Sequence, residues 1–431
     1  MISDKCMLYG AAIMKEGSDD YLFIFARHED IKEGKTTDIY FYRTLKILEE
    51  EKLADTMVYA EITISSLPRG YPWGIFGGLR DVAKLFEGIP VDIDAFPEGS
   101  VIYKSDYYGI REPVMTIRGP YGKFVIYETP LLGFLCVGSG IASKAARIRK
   151  AAGNDVLIVS FGARRTHPAI SPFNAFYAYI GGCDAVSCVL GAERFLGMKP
   201  VGTMPHSLMI IYSVLEGDHA EAWKAFDRIM PSDVPRIILC DTYLDEVAEA
   251  IRAVEKVGPD RIWGFRLDTP SSRRGKFNDI VREVIWELRA RGYDGKVFVS
   301  GGIDEDAIPE LVRAGVSGFG VGSSIANARI VDFAMDIVAV HHESRWVPCA
   351  KRGKLSGVKK VYRCPSCLID VVRLENESAP RCPKCGREME SMLKPLIRNG
   401  EVVVEFPKPN ETRKYVLEQL EKLELDKKPW D

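Results

Sequence analysis

Residues 297–324 read VFVSGGIDEDAIPELVRAGVSGFGVGSS and contain two short apolar segments, each followed at once by glycines. Segments 297–300 and 319–321 have the near-continuous apolar character of parallel strands that are covered on both faces. A glycine turn directly after such a strand lets the backbone approach a ligand closely. The stretch therefore predicts two parallel strands whose glycine turns lie at one edge of an α/β fold.

The same alternation of apolar strands and amphipathic helices extends from about residue 125 to residue 340. It indicates parallel strands joined by helical crossovers, and about seven such units favour an irregular α/β barrel, with an open sheet as the alternative. The remaining strands are predicted at 156–161, 185–190, 200–204, 236–240 and 262–266.

The chain of 431 residues is long enough for two or three domains. Residues 1–120 mix strand-like and helix-like segments and are predicted to form an α+β N-terminal domain. Residues 121–345 form the predicted barrel domain, and residues 346–431 form a small C-terminal region. Hydrophobic residues at 46% and charged residues at 27% are ordinary for a soluble globular protein.

Charge and hydropathy argue against two classes of partner. The net charge of −2 provides no overall attraction to nucleic acid or to an acidic membrane surface. No apolar stretch approaches the ~20 residues that span a bilayer, and the N-terminal residues do not have the pattern of a secretory signal. We therefore expect a cytoplasmic protein with neither a membrane nor a nucleic acid as its partner.

Four cysteines near the C-terminus form two C-x-x-C pairs separated by fourteen residues: Cys364, Cys367, Cys382 and Cys385. Two such turns can complete a tetrahedral Zn²⁺ site of the zinc-ribbon type. Because four protein ligands leave no position open for water, the metal would be structural. A pair of disulfides or a redox C-x-x-C is the alternative.

Ligands of parallel α/β barrels bind at the carboxyl ends of the strands, so the residues that follow each strand are the candidate site residues. The glycine-rich turns after the last two strands resemble a phosphate site, in which N–H groups at a helix start point at an anion. The residues of these turns are Gly301, Gly302, Gly320, Gly322 and Ser323.

Charged residues follow other strands. Arg164 and Arg165 add positive charge where a second anionic group would lie, with a solvated loop as the alternative. Asp268 could hold ribose hydroxyls, a metal ion or the nearby Arg266. His206 is the only histidine at such a strand end, between Thr203 and Ser207. These residues indicate a site that binds anions and has a histidine available for chemistry.

Together the motifs resemble those of the nicotinate phosphoribosyltransferase family, in its archaeal form with a zinc-knuckle C-terminal region. The matching segments are Thr37-Asp38-x-Tyr40, Gly119-Pro120, Glu128-Thr129-Pro130-Leu131-Leu132, Ile141-Ala142-Ser143-Lys144-Ala145, Phe161-Gly162-x-Arg164-Arg165, Gly202-Thr203-x-x-His206-Ser207, Arg266-x-Asp268, Ser300-Gly301-Gly302 and Gly320-x-Gly322-Ser323. One departure stands out. Many relatives have Asp-Ser-Gly-Asp where this chain has Asp268-Thr269-Pro270-Ser271.

The resemblance implies the transfer of phosphoribosyl from phosphoribosyl pyrophosphate to nicotinate, with release of nicotinate mononucleotide and pyrophosphate, coupled to ATP hydrolysis and assisted by Mg²⁺. It implies that ATP phosphorylates His206 and that Thr203 lies near the nicotinate. It also implies a homodimer or a higher homo-oligomer with shared active sites, in which Tyr40 reaches the site of a neighbouring subunit.

The residues are consistent with that chemistry. Arg164, Arg165 and Arg266 supply cations for a pyrophosphate and a carboxylate, and Phe161 or Tyr40 could stack on a flat aromatic acid. Asp268 could stabilise positive charge that develops on the ribose.

Three alternatives stay open. A quinolinate phosphoribosyltransferase would need more cationic side chains for a dicarboxylate, and a nicotinamide-specific enzyme would share the scaffold. A zinc-ribbon protein that binds nucleic acid is a different class, for which the basic segment 351–360 provides some support. That segment is otherwise interpreted as a lid over the site or as a solvated linker.

Overall fold

The structure, a computed structural model, describes residues 25–273 and 275–431. The first 24 residues of the predicted N-terminal domain lie outside the described residues.

The described strands fall into four sheets. They are β1 (Met57–Ser66), β2 (Gly74–Ile75), β3 (Asp92–Ala95), β4 (Val101–Ile102), β5 (Pro113–Pro120), β6 (Leu157–Ser160), β7 (Ala185–Val186), β8 (Ile237–Leu239), β9 (Gly264–Leu267), β10 (Lys296–Ser300), β11 (Gly318–Val321), β12 (Asp332–His342), β13 (Arg345–Pro348), β14 (Lys359–Arg363), β15 (Asp370–Leu374), β16 (Glu390–Ser391), β17 (Lys394–Arg398) and β18 (Glu401–Val402).

The α-helices alternate with these strands. They are α1 (His28–Lys32), α2 (Ile39–Glu50), α3 (Leu79–Phe86), α4 (Tyr121–Phe124), α5 (Glu128–Ala152), α6 (Ser171–Gly181), α7 (His206–Leu215), α8 (Ala220–Ile229), α9 (Glu246–Val257), α10 (Phe277–Ala290), α11 (Ile308–Arg313), α12 (Ser323–Ala326) and α13 (Pro409–Leu420). A π-helix at Gly191–Leu196 and short 3₁₀ segments, such as Gly162–Arg165, complete the described secondary structure.

Six parallel strands form the sheet that carries the site, in the order β7-β6-β11-β10-β9-β8. The prediction of an α/β fold with parallel strands is confirmed, and six of the predicted strands are present. The segment at 200–204 is not a strand. The Val201 N–H donates to the carbonyl of Val186 at 3.0 Å, but prolines at 200 and 205 supply no N–H for a longer ladder. Closure into a barrel stays a prediction.

A second sheet has seven strands, in the order β13-β12-β1-β5-β3-β17-β18. Strand β1 lies near its centre and pairs antiparallel with β5 and β12, with Ile62 opposite both Met115 and Met335. Ile62 has no exposed surface, because this strand is covered on both faces. The sheet thus joins residues 57–120 to strands beyond residue 330, while the domain boundaries at 120 and 345 stay a prediction.

Helix α5 connects the two sheets and is the main internal helix. The apolar run Tyr121–Ala152 is long enough to cross a membrane by length and composition, but half of its most apolar window is buried inside the protein. Its hydroxyls bond neighbouring backbone, since Ser143 Oγ accepts the N–H of Ile75 at 2.8 Å and Ser139 Oγ accepts that of Gly77 at 2.9 Å. A Cβ on Gly138 would lie 2.8 Å from the nitrogen of Gly78. These contacts are those of a core helix.

Candidate active site and cysteine cluster

A cavity of about 600 Å³ opens at the carboxyl ends of the parallel strands. All but one of the predicted catalytic and substrate-binding residues line it, and the exception is Tyr40. The lining residues that were predicted are Phe161, Arg164, Arg165, Thr203, His206, Arg266, Asp268, Gly301, Gly302, Gly320, Gly322 and Ser323. A larger cavity of about 710 Å³ beside β17 and α13 is mainly apolar and contains none of them.

Backbone geometry explains the glycines of the two turns. Gly301 and Gly302 have φ values of +89° and +68°, which lie in the left-handed region that favours glycine. At Gly320 a Cβ would lie 2.3 Å from the Phe161 ring, so the ring can pack on β11 only because no side chain is there. Ser324 Oγ donates to the carbonyl of Ile303 at 2.7 Å and ties the two turns together.

Arg266 brings a buried positive charge to the cavity. Its side chain is 13% exposed, and its Nη2 lies 3.6 Å from the carboxylate of Asp268. Its Nη1 donates to the hydroxyl of Thr203. Its Nε has no hydrogen-bond partner in the described part of the chain. Burial lowers the pKa of Arg266 from its ordinary value, but a guanidinium remains charged at neutral pH. The site therefore has a buried cation with donor capacity left for an anionic ligand.

His206 is the first residue of α7, and its Nε2 lies 2.9 Å from Oδ1 of Asp241. The hydrogen bond with this carboxylate raises the pKa of His206 above its ordinary value, although partial burial opposes the effect. The other oxygen of Asp241 accepts the backbone N–H of Asp268 at 2.6 Å and lies 3.1 Å from the Thr269 hydroxyl. One carboxylate thus joins the histidine to the Asp268 segment.

Sequence reasoning missed Asp241. It directly follows the predicted strand at 236–240 and lies two residues after the end of β8, so the rule that found the other site residues would have found it as well. Ser187 was also missed and lines the cavity, as does Ser300, which was named in a matching segment without a role of its own. The Ser300 hydroxyl donates to Asp268 Oδ1 at 2.8 Å and orients that carboxylate.

The departure from the family motif has a structural counterpart. The Thr269 hydroxyl lies within hydrogen-bonding distance of both Asp241 and Glu246, at the first turn of α9. Position 269 therefore supports the carboxylate that faces His206.

Tyr40 and the basic segment lie away from the cavity lining. Tyr40 is on α2, 54% exposed, with its ring centroid 4.2 Å from that of Phe41. Lys351 and Lys354 place their amino groups 2.7 and 2.6 Å from the carboxylate of Asp336 on β12. Residues 351–360 do not line the cavity of their own chain, and the structure ties the start of this segment to the seven-stranded sheet.

The four cysteines converge as their spacing predicts, with their sulfur atoms within 4.8 Å of one another. The two C-x-x-C turns have matching geometry. The N–H of Leu368 donates to the carbonyl of Cys364, and that of Gly386 to the carbonyl of Cys382, both at 2.9 Å. Four Zn–S bonds of ~2.3 Å in a tetrahedron require S···S distances of about 3.8 Å. The cluster could therefore hold a zinc ion.

Comparisons with known proteins agree with this geometry. Residues 38–139 match the N-terminal domain of quinolinate phosphoribosyl transferase, and residues 141–336 match its C-terminal domain. The crystal structure of a nicotinate-nucleotide pyrophosphorylase from Pyrococcus furiosus is 51% identical, with a TM-score of 0.87, over 93% of this chain and 98% of that one.

Two further relatives extend the comparison. A curated nicotinate phosphoribosyltransferase from Mycobacterium tuberculosis is 28% identical over 86% of this chain and 87% of the relative. The crystal structure of human nicotinic acid phosphoribosyltransferase is 20% identical, with a TM-score of 0.71 over 90% of this chain and 94% of that one, and shows the same fold. The chain therefore belongs to the family of enzymes with these two quinolinate phosphoribosyl transferase domains, and its curated relatives are named nicotinate phosphoribosyltransferase.

Proposed function

We propose that this protein transfers the phosphoribosyl group of phosphoribosyl pyrophosphate to nicotinate, which makes it a cytoplasmic enzyme of NAD salvage. The observation that carries the proposal is the convergence on one cavity of a buried arginine, a histidine–carboxylate pair and two glycine turns. These groups match a substrate pair with one aromatic carboxylate and several phosphates.

Arg266 is the residue proposed to select nicotinate. Its guanidinium contacts Thr203 and lies 6.0 Å from the centroid of the Phe161 ring, so a flat aromatic acid stacked on Phe161 would place its carboxylate within reach. A neutral amide brings no charge to this buried cation, and its NH₂ group cannot accept a hydrogen bond from Nε, which has no partner among the described residues. Quinolinate would need a second buried cation, whereas Arg164 and Arg165 are exposed at the rim.

The remaining groups are proposed to act on the donor. The two glycine turns bind the 5′-phosphate through backbone N–H groups. Arg164 and Arg165 attract the pyrophosphate, which enters as its Mg²⁺ complex. As the C1–O bond breaks, positive charge develops on the ribose, and the Asp268 carboxylate, held by Ser300, stabilises it.

His206 is proposed to couple ATP to this transfer. Because Nε2 is bonded to Asp241, Nδ1 is the nitrogen left to attack the γ-phosphorus of ATP. The N–P bond forms as the bond to ADP breaks, and water later releases phosphate from the histidine. The proton on Nε2 stays with the imidazole throughout, stabilised by the Asp241 carboxylate.

The experiment that tests this function measures mononucleotide formation from phosphoribosyl pyrophosphate and each of nicotinate, nicotinamide and quinolinate, with and without ATP. We expect mononucleotide from nicotinate but not from the other two compounds, and we expect ATP to raise the rate of its formation. Product from quinolinate with release of carbon dioxide would contradict the proposal, as would product from nicotinamide.

The histidine step has its own test. In His206→Ala we expect ATP stimulation to be lost while part of the basal transfer survives, since the imidazole does not stabilise the ribosyl cation. γ-labelled ATP should give an acid-labile, base-stable label on the wild type and on the control His342→Ala, which changes an exposed histidine. A label that persists on His206→Ala would place the phosphate on another residue.

Two structural elements complete the proposal. The four cysteines bind a structural Zn²⁺, supported by the proximity of their sulfur atoms. The active unit is a homodimer or a larger homo-oligomer in which Tyr40 enters a neighbour's cavity. That assignment is supported by the exposure of Tyr40 and by its absence from the cavity of its own chain.

A further inference from the structure

Glu249 is a fully buried carboxylate on α9 that the proposed reaction does not use. It accepts three consecutive backbone N–H groups, from Thr242 at 3.0 Å, Tyr243 at 2.8 Å and Leu244 at 3.1 Å. These three residues directly follow Asp241. Backbone N–H groups inside a protein need acceptors, and a carboxylate that accepts several of them holds the loop strongly.

The direction of this loop decides where the Asp241 side chain lies. The side chain of Asp241 is almost completely buried, and its carboxylate is 2.9 Å from Nε2 of His206. Glu249 lies in the first turn of helix α9, which is capped because the Asp245 side chain accepts the N–H of Ala248 at 2.9 Å. A rigid helix thus clamps the loop that presents Asp241 to the histidine.

We propose that Glu249 is a positioning residue for His206, acting through the 242–244 loop and Asp241. Its importance for turnover rests on the proposed role of His206 in ATP coupling. The positioning itself can be measured without turnover, so failure of one is distinguishable from failure of the other.

Several charged groups face the two residues. His206 is faced by Asp241, Asp268 and Arg266. Glu249 is faced by His219, whose Nε2 lies 3.3 Å from Oε1. Because Asp241 raises the pKa of His206, loss of its contact should return that pKa towards the ordinary value.

The test is an NMR titration of histidine-labelled protein, with the His206 signal assigned by its absence in His206→Ala. In Glu249→Gln an NH₂ group replaces one of the two carboxylate oxygens that accept N–H groups from the loop. Two donors would then face each other, so the loop must shift. We expect the pKa of His206 to fall towards the ordinary histidine value both in Glu249→Gln and in Asp241→Asn. The control Glu255→Gln, on the exposed side of the same helix, should leave it unchanged.

The double variant separates positioning from direct electrostatics. If Glu249 acts through Asp241, adding Glu249→Gln to Asp241→Asn should change the pKa of His206 no further. An additional fall in the double variant would overturn the proposal, as would an unchanged pKa in a folded Glu249→Gln protein.

Two more measurements test the proposal. The first does not depend on the folding of the variant, and the second relates the pKa of His206 to turnover. In the wild type, the amides of 242–244 should exchange with deuterium far more slowly than those of the exposed segment 271–273; equal rates would overturn the proposal even if the variant did not fold. In Glu249→Gln, ATP-stimulated kcat should fall roughly tenfold, as for loss of other orienting partners, while the KM for nicotinate stays unchanged. A change confined to KM would contradict a role through His206.

Discussion

At Arg266, a guanidinium is withdrawn from water without a full set of partners. Such a charge stabilises a bound carboxylate more than an exposed one would, because its desolvation has already occurred on folding. The role of this residue in choosing nicotinate therefore depends on its burial as much as on its charge.

We expect Arg266→Ala to raise the KM for nicotinate. Loss of a charge-assisted hydrogen bond costs about 1.5–3 kcal/mol, which corresponds to roughly ten- to a hundredfold in affinity. The control Arg282→Ala removes an exposed arginine on α10 and should change nothing. Steady-state kinetics with each substrate varied in turn provide the measurement. If only the KM for the donor rose, Arg266 would be assigned to the pyrophosphate.

The absence of a side chain at Gly320 allows the Phe161 ring to take its position, and this can be tested. Because a Cβ at this position would overlap the Phe161 ring, Gly320→Ala should displace the proposed stacking surface. We expect a loss of at least about tenfold in kcat/KM for nicotinate, as for other small misplacements near reacting groups. Gly133→Ala, where nothing lies within 4 Å, is the matched control. Unchanged kinetics in Gly320→Ala would show that Phe161 does not need its present position.

The His206–Asp241 pair predicts how stability depends on pH. The pKa of His206 is raised in the folded protein, so the ion pair stabilises the fold at pH values below the ordinary histidine pKa. That contribution is lost as the pH rises through the raised pKa. Asp241→Asn should therefore destabilise the protein more at about pH 5.5 than at about pH 9, since these two values lie below and above the ordinary titration range of histidine. Thermal unfolding at both pH values measures it, and an equal loss at both would exclude the ion pair as the cause.

The sequence could predict most of the site residues because they lie at or just after the carboxyl ends of parallel strands, which meet at one edge of the sheet. Thr203 and His206 were found in the same way, although the segment 200–204 that precedes them is not a strand. Asp241 obeys the same rule but has no distinctive neighbour, since its partner His206 is 35 residues away in the chain. The contact between them depends on the lateral order of the strands. Local pattern contains no information about that order.

Among the elements, the two cysteine turns have the clearest energetic consequence. A structural zinc site exists only in the folded protein, so the free energy of zinc binding stabilises the fold. Cys382→Ser should therefore lower the midpoint of thermal unfolding and the zinc content. The control Cys349→Ser changes a cysteine outside the cluster. Metal analysis and calorimetry provide the measurements. A variant with wild-type zinc content and stability would contradict the zinc-ribbon interpretation.

Element prediction succeeded where a pattern is local and failed where pairing is remote. The parallel strands have two to five residues and lie within short apolar runs, which a sequence pattern detects. The pairing of β1 with β12 joins segments nearly three hundred residues apart, as between Ile62 and Met335. The sequence of neither strand indicates which strand it pairs with. The sequence alone therefore assigned β12 to the region of the barrel rather than to the seven-stranded sheet.

At the scale of the whole molecule, the position of Tyr40 leads to the final prediction. Tyr40 is exposed on α2, whereas His206 lines the cavity, and both are proposed to serve one reaction. If the sites are shared between subunits, Tyr40→Ala and His206→Ala should each lose ATP-stimulated activity as pure proteins. A mixed dimer would contain one intact site, formed by Tyr40 of one subunit and His206 of the other.

Unfolding the two variants together and refolding them measures this complementation. Random pairing makes half of the dimers mixed, and each mixed dimer has one of two sites intact, so about a quarter of the wild-type ATP-stimulated activity should return in a symmetric dimer. Variants refolded separately and then combined are the control, because their subunits do not mix. If each subunit used its own Tyr40, every site in the mixed dimer would lack one of the two residues. Refolding the two variants together would then restore nothing.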